Sequence, residues 1–367
     1  MAPVEQQGVD STTSCCPTTP NTPHSGVEEE RDLEGVWERQ WETVYPSGTC
    51  DRETLVWWIQ SSGSIYVDLR IPPSLLRFYK EQILSKRGVR TTMAEPPGNL
   101  LLLQGVSESF YQTCIQTDSS LETALVHELQ SFAGRLEQTA SSSSSSPDPP
   151  PPTHSFTCHW HRAIDIRPPA VSPDIGVCTY VALPEEEEDR GWDGTCLHET
   201  GVDGSYAELW WRRPQDTTSS SPRSASCSSY ALELLVAEAT PSSNDKGYWV
   251  VVNNRFGYAV GRPWPATTTQ GGTTTWQQIF EERGSISPQA QLDTILSSYL
   301  AVMGEILDDG TFRILYSTHP EWIGSAFPTG TVQADGGGVE QCLGGTKRIW
   351  KVVSTSGDYT QVPPFGS

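Results

Sequence analysis

The chain has 367 residues, enough for two ordinary domains, and its hydrophobic fraction of 36% is concentrated in some segments and nearly missing from others. A formal charge of −21 speaks against binding nucleic acid through its phosphates, which takes a basic patch, and against docking on an anionic membrane surface. The nine Cys are odd in number and form no regular framework, which fits a reducing compartment.

Residues 1–30 are rich in Ser, Thr, Pro and Glu without periodicity, and a disordered tail is expected there. The start, Met1-Ala-Pro-Val-Glu-Gln-Gln, offers neither a basic n-region nor an apolar h-region, so no signal peptide is expected. The run Asn99–Leu103 is too short to span a bilayer. A cytoplasmic location, extending to the nucleus, is the resulting expectation. Strand-like segments follow from Leu33: Val36–Tyr45, Thr54–Gln60 and Ile65–Ile71, with a polar turn at Ser61–Ser64 making a hairpin of the last two. In Ile65–Ile71 the apolar residues Ile65, Val67, Leu69 and Ile71 share one face, and Tyr66, Asp68 and Arg70 share the other. Pro72-Pro73 ends the run. Ser74 reads as an N-cap for a helix carrying Leu75, Leu76, Phe78, Tyr79, Ile83 and Leu84, stopped at Gly88.

Leu100–Leu103, Tyr111–Gln116 and Phe132–Leu136 read as short strands, and Leu121–Leu129 as a helical turn or inserted loop. Residues 140–153 carry six Ser and then a Pro-rich run, a disordered loop inside a domain, because strand-like sequence resumes at Phe156–Ile166. Val177–Leu183 and Tyr206–Arg212 complete a first unit, 31–213. Residues 214–227 are the expected linker. The second unit, 228–356, holds Tyr230–Ala237, Tyr248–Val252, Phe256–Val260, a helix-like start at Gln289 running into a strand Met303–Leu307, Phe312–Ser317 and Arg348–Ser354. Asn253-Asn254 and Asp308-Asp-Gly310 suit hairpin turns, Pro263–Thr275 a flexible loop, and 357–367 a tail. Many short strands between turn signals, without βαβ alternation, predict an all-β protein of two mostly antiparallel barrels with one or two short helices.

The residues resemble those of a family. Gly35-Val-Trp37 resembles the G-x-W opening of lipocalin-like barrels. Trp58-Ile-Gln60, Asp68-Leu-Arg-Ile-Pro72, Phe132-Ala-Gly134, Cys158-His-Trp160, Asp174-Ile-Gly176, Glu199-Thr-Gly201 and Tyr206-Ala-Glu-Leu-Trp210 occur in order, followed by Asn254–Pro263 and Tyr316–Pro320. Together they resemble the HRI family, named after the yeast interactor of a casein-kinase-1-type kinase, and its bacterial relatives. The resemblance covers roughly residues 33–355. It implies two calycin-like (lipocalin-like) barrels, a soluble intracellular protein, and no known catalytic activity.

No G-x-S-x-G elbow, P-loop or G-x-G-x-x-G is present. His127-Glu128 lacks a second His four residues after the first. His159 and His161 share a strand face, as Cys196 and His198 would if Leu197–Gly201 were extended and not a turn. No C-x-x-C pair supports a zinc site, so no metal or other cofactor is expected. His319 as a haem ligand is the remaining variant. The stronger candidates are polar strand faces: Tyr66, Asp68 and Arg70 on one strand, Trp160 and Arg162 on another, Tyr206, Glu208 and Trp210 on a third. Facing inward, they would line a cavity of aromatics with a few charges, as small-molecule sites are built; otherwise they brace the wall as an ion-pair and stacking network. The expectation is a non-enzymatic intracellular interaction module, with a casein-kinase-1-type kinase as partner, or a binder of a small apolar ligand. The alternative is an enzyme using the Tyr/Asp/Arg/Glu set, or a haem- or metal-binding barrel. Ser/Thr-Pro steps at Thr19, Thr22, Ser146 and Ser221 offer phosphorylation sites outside any core.

Overall fold

The computed structural model describes residues 33–86, 124, 128–140, 155–166, 174–182, 194–214, 229–236, 246–261, 299–319, 322–327, 330–332, 338–343 and 346–356. The predicted tail, the linker beyond Pro214, the Ser/Pro loop beyond Ala140, the Ser/Thr-Pro steps and the strands at 100–103 and 111–116 lie outside these residues.

The chain is all-β with one helix among the described residues. The first sheet contains β1 (Gly35–Val44), β2 (Thr49–Asp51), β3 (Leu55–Gln60), β4 (Ile65–Ile71), β5 (Gln130–Ala140), β6 (Ser155–Asp165), β7 (Asp174–Ala182), β8 (Thr195–Gly201) and β9 (Tyr206–Arg212). Its order is β2-β1-β3-β4-β5-β6-β7-β8-β9, and β9 pairs back onto β1. The eight strands other than β2 therefore form a closed antiparallel barrel, which leaves no free edge. The second sheet contains β10 (Tyr230–Val236), β11 (Lys246–Val252), β12 (Arg255–Gly261), β13 (Tyr299–Ile306), β14 (Phe312–Ser317), β15 (Gly330–Val332), β16 (Gly338–Leu343) and β17 (Thr346–Ser356). Its order is β14-β13-β12-β11-β10-β17-β16-β15. It curls as a half-barrel, consistent with the expected pair of barrels.

Several local expectations change. Leu197–Gly201 is not a turn but part of β8, whose ladder to β7 and β9 satisfies its backbone groups. The strand expected from Met303 already begins at Tyr299; residues 289–298 lie outside the described set. Helix α1 (Pro73–Lys86) begins with proline at the first helical position, where no N–H is needed, and Ser74 sits inside the first turn. At Leu121–Leu129 only Ala124, Glu128 and Leu129 are described, and Leu129 N–H donates to Ala124 C=O at 2.7 Å. The hairpin turns are as predicted: Asn253 has φ 56° and Gly310 φ 84°, values that Asn and Gly tolerate best.

Three buried clusters organise the molecule. One fills the inside of the first barrel, with Leu33, Trp37, Val56, Trp58, Tyr66, Phe132, Leu136, Cys158, Trp160, Cys178, Leu197 and Trp210. A second lies on one face of the half-barrel, around Trp249, Phe256, Phe312 and Phe327. The third joins the two sheets. Trp57, Ile59, Ile65, Val67, Leu69 and Ile71, on the outside of the first barrel, pack with Tyr248, Val250, Val252, Ala259, Tyr299, Ala301 and Met303 of the second sheet. Helix α1 adds Leu75 and Tyr79 to it, and Tyr79 Oη donates to Ser317 C=O at 2.9 Å. Strands β3 and β11 read as nearly unbroken apolar runs because each is covered on both faces.

Candidate functional site

The sandwiching of β4 decides which way its polar face looks. Ile65, Val67, Leu69 and Ile71 turn outward to the second sheet. Period two then sends Tyr66, Asp68 and Arg70 into the barrel. The same rule directs Trp58 inward from β3, Phe132 from β5, Trp160 and Arg162 from β6, Asp174 from β7, Glu199 from β8, and Tyr206, Glu208 and Trp210 from β9. These side chains and Glu42 line one cavity of about 190 Å³. All eight predicted residues border it. Glu42, Trp58, Phe132, Asp174 and Glu199 also border it and were not singled out as site residues from the sequence.

The lower part of the barrel is closed by rings. Trp37 and Trp58 stack at 5.7 Å, and Trp58 meets Trp210 and Trp160 edge-on at 5.6 and 6.1 Å, arrangements favoured by the ring quadrupole. Trp37 Nε1 donates to Leu33 C=O at 2.9 Å. The Arg212 guanidinium lies 5.7 Å from the Trp37 ring, and its stem passes so close over Gly35 that a Cβ there would meet Arg212 Cδ at 2.8 Å.

Above this floor the lining is charged. Arg39 donates to Glu42, to Asp51 at 2.7 Å and to Glu208 Oε1 at 2.9 Å. Arg70 reaches the same Glu208 oxygen at 3.1 Å and Asp68 Oδ1 at 3.2 Å. Arg162 donates to Asp174 Oδ2 at 2.6 and 2.9 Å and to Asp165 Oδ2 at 3.2 Å, with its guanidinium 3.7 Å from the Phe132 ring centre. Glu199 is different. Its oxygens accept from Tyr206 Oη at 2.6 Å and Trp210 Nε1 at 3.1 Å, both neutral donors, and no ion pair reaches it among the described residues. Tyr66 is fully buried, and its hydroxyl has no hydrogen-bond partner among the described residues.

Burial dominates the protonation equilibria here. It pushes Asp68 up to about 6, against the pull of Arg70. It raises Glu199 well above the usual carboxylate range, and the nearby Glu208 adds to that. Glu42 is raised by burial and by Glu208. Burial also keeps the phenols of Tyr66 and Tyr206 neutral, with Glu199 reinforcing the effect at Tyr206. Although burial works against a charged guanidinium, the surrounding carboxylates hold Arg70 and Arg162 above the ordinary arginine value.

The other candidates sit elsewhere. His161 is exposed and 3.1 Å from Glu137, and its ring lies 6.3 Å from that of His159. Cys196 is buried in β8, and His198 packs 5.8 Å from Trp41. Among the described residues no group of three or more His, Cys, Asp or Glu is arranged to hold a metal ion. His319 is buried beside the second sheet, its Nε2 3.3 Å from Tyr299 C=O, and does not border the cavity of the first barrel. No helix among the described residues is long and apolar enough to cross a membrane. Comparison with protein-family models, curated proteins and solved structures finds no match for this chain.

Proposed function

We propose that the first barrel is a non-catalytic binding site for a small polar molecule. One observation carries the reading: inward-facing residues from β1 and β3–β9 converge on a single cavity that combines aromatic walls, ion pairs and an unpartnered buried hydroxyl. A network that only braced the wall would leave no such cavity and no orphan hydroxyl, because buried polar groups are normally satisfied. A volume of about 190 Å³ is below the ~300–1,000 Å³ of sites for drug-sized ligands. It exceeds the roughly 150 Å³ that suffices for benzene. The ligand is therefore about one ring in size. The charged lining favours a polar ligand over the apolar one expected from the sequence.

Membership of the HRI family, an intracellular location and a casein-kinase-1-type partner belong to the same proposal, on the strength of the ordered motifs. The free thiols of Cys50, Cys158 and Cys178 support a reducing compartment. An enzymatic reading has one observation in its favour, the Asp68 carboxyl near 6, suited to general acid–base work. Asp68 is held by Arg70, which is itself also committed to Glu208, and this favours a fixed wall over a proton shuttle.

The test is native mass spectrometry of the full chain after exposure to a metabolite extract, with tryptophan fluorescence as a second readout, since Trp58, Trp160 and Trp210 border the cavity. Capture of a stoichiometric small molecule that alters the fluorescence is expected. A protein that captures nothing overturns the reading. Turnover of the captured molecule would replace binding with catalysis.

A further inference from the structure

The charge of the lining indicates the charge of the ligand. Arg39, Arg70 and Arg162 are each held by two or more carboxylates. An anion entering the cavity would have to displace one of those partners. It would also meet Glu199, a further acidic side chain to which no arginine is paired among the described residues. Each Glu199 oxygen accepts one neutral donor, and a carboxylate has about four acceptor positions, so capacity remains. Tyr66, whose Oη is buried and unpartnered among the described residues, is one of the residues around the same space. The walls already attract cations: guanidinium groups lie 3.7 Å from the Phe132 ring and 6.0 Å from the Trp210 ring, as expected for a positive charge over an aromatic face.

We infer that the cavity takes a small organic ammonium ion, about one ring in size, with Glu199 as its counter-ion and the rings of Trp58, Trp160 and Trp210 against its body. This rests on the ligand-binding reading of the first barrel. An ammonium ion supplies the positive charge that Glu199 lacks and donates N–H groups to an oxygen that can accept them. The absence, among the described residues, of three convergent metal-type ligands favours an organic cation over a metal. The chain's formal charge of −21 draws cations in.

Three probes of one shape separate the outcomes: benzylammonium, benzyl alcohol and benzoate, titrated into the full chain by calorimetry and tryptophan fluorescence. Benzylammonium is expected to saturate the site, with the neutral and anionic probes at least about tenfold weaker. Glu199→Gln should weaken benzylammonium about tenfold or more, the size of a lost charged hydrogen bond. Glu137→Gln, on the exposed outside of β5, should leave it unchanged. If Glu199→Gln does not fold, the wild type still decides. Protons compete at Glu199, whose titration is shaped by Glu208, Tyr206, Asp174 and Arg70 around it. The affinity for benzylammonium should therefore fall as pH is lowered from 8 to 5, while that for benzyl alcohol does not.

Benzoate or benzyl alcohol binding as tightly as benzylammonium overturns the ammonium assignment and leaves the binding site standing. So does an unchanged affinity in a folded Glu199→Gln, or an affinity indifferent to pH. No binding of any probe, with a metabolite of another charge captured from the extract, also overturns the assignment alone. No binding of any probe and no captured metabolite removes both readings.

Discussion

Tyr206 Oη donates to Glu199 Oε1 across 2.6 Å, a neutral phenol set against a buried carboxylate. The pair spans the β8–β9 ladder, in which Glu199 is the register partner of Glu208. It is made possible by Gly176 on β7, where a Cβ would lie 2.8 Å from Glu199 Oε1. The missing side chain lets Glu199 lie against the wall.

Removing the phenol hydroxyl leaves one Glu199 oxygen short of a protein donor. Tyr206→Phe should therefore destabilise the chain by about 1–3 kcal/mol, the cost of an unsatisfied buried acceptor. It should also raise the Glu199 pKa further, since the hydrogen bond favours the ionised form. Urea denaturation measures the first effect. The pH at which ligand-free tryptophan fluorescence changes reports the second, through Trp210 beside Glu199. A variant as stable as wild type would show that water replaces the phenol.

The raised carboxylates set a pH dependence of unusual sign. Asp68 titrates near 6 in the folded chain and in the ordinary aspartate range once unfolded. Between these values the folded state binds more protons, so stability falls as pH rises through the window. Two pKa units correspond to about 3 kcal/mol. Glu42 and Glu199 are raised too and act in the same direction. Asp51 is lowered by hydrogen bonds from Glu53 and Thr54, burial notwithstanding, and costs stability only in stronger acid. The melting temperature should therefore rise on going from pH 8 to about pH 5 and fall below about pH 4. Asp68→Asn should flatten the first limb. A melting temperature that drops steadily from pH 8 would contradict it.

How much of this was legible in the sequence depends on what surrounds each strand. Alternation in Ile65–Ile71 identified β4, its partner β3 and the residue types of the site. It did not say which face looks inward, because an apolar face normally marks the inside of a barrel. Here the apolar face is outside, covered by a second sheet that begins only at Tyr230, far along the chain. Glu199 was hidden for another reason. Leu197–Gly201 is short, polar and ends in glycine, so the sequence left a turn open beside an extended run, whereas pairing on both sides holds it as a strand. Its inward set of Leu197, Glu199 and Gly201 mirrors Tyr206, Glu208 and Trp210 on β9, the one signal that could have exposed it.

The shared interface should make the two sheets unfold as one cooperative unit. Ile59 and Val67 are fully buried between them, and a Cβ on Gly257 of β12 would approach Val67 Cβ to 3.2 Å. Tyr299 Oη lies 3.1 Å from Ser131 Oγ, which donates to Asp68 C=O at 2.6 Å, so the second sheet also touches the backbone behind the site. Ile59→Ala should cost about 2–5 kcal/mol and Gly257→Ala about 1–3 kcal/mol through overpacking. In both, fluorescence and circular dichroism should report a single coincident transition. Two separated transitions would show that the sheets fold independently.

Gly134 shapes the site from a distance by shaping a strand. On β5 it pairs with Arg162, while Ala133 pairs with Ile164, so Ala163 is skipped as a bulge. Regular alternation would put Arg162 and Asp165 on opposite faces. The bulge instead turns Asp165 to the side of its partner Phe132, and Arg162 reaches it at 3.2 Å. Bulges re-aim side chains in this way. Only glycine permits it here, because a Cβ at position 134 would stand 2.0 Å from the His161 carbonyl oxygen, a backbone atom that cannot rotate aside. Gly134→Ala must therefore open the β5–β6 ladder or abolish the bulge. Either loss separates Arg162 from Asp165 and removes the guanidinium from the Phe132 face. The expected result is destabilisation of about 3 kcal/mol or more, at the upper end for a single substitution, with binding of any cavity ligand lost in the folded fraction. Denaturation and fluorescence titration of the same preparation check both. Wild-type stability in this variant would mean that the strands are not bulged at this point, and Arg162 would then have to be held in the site by Asp174 alone.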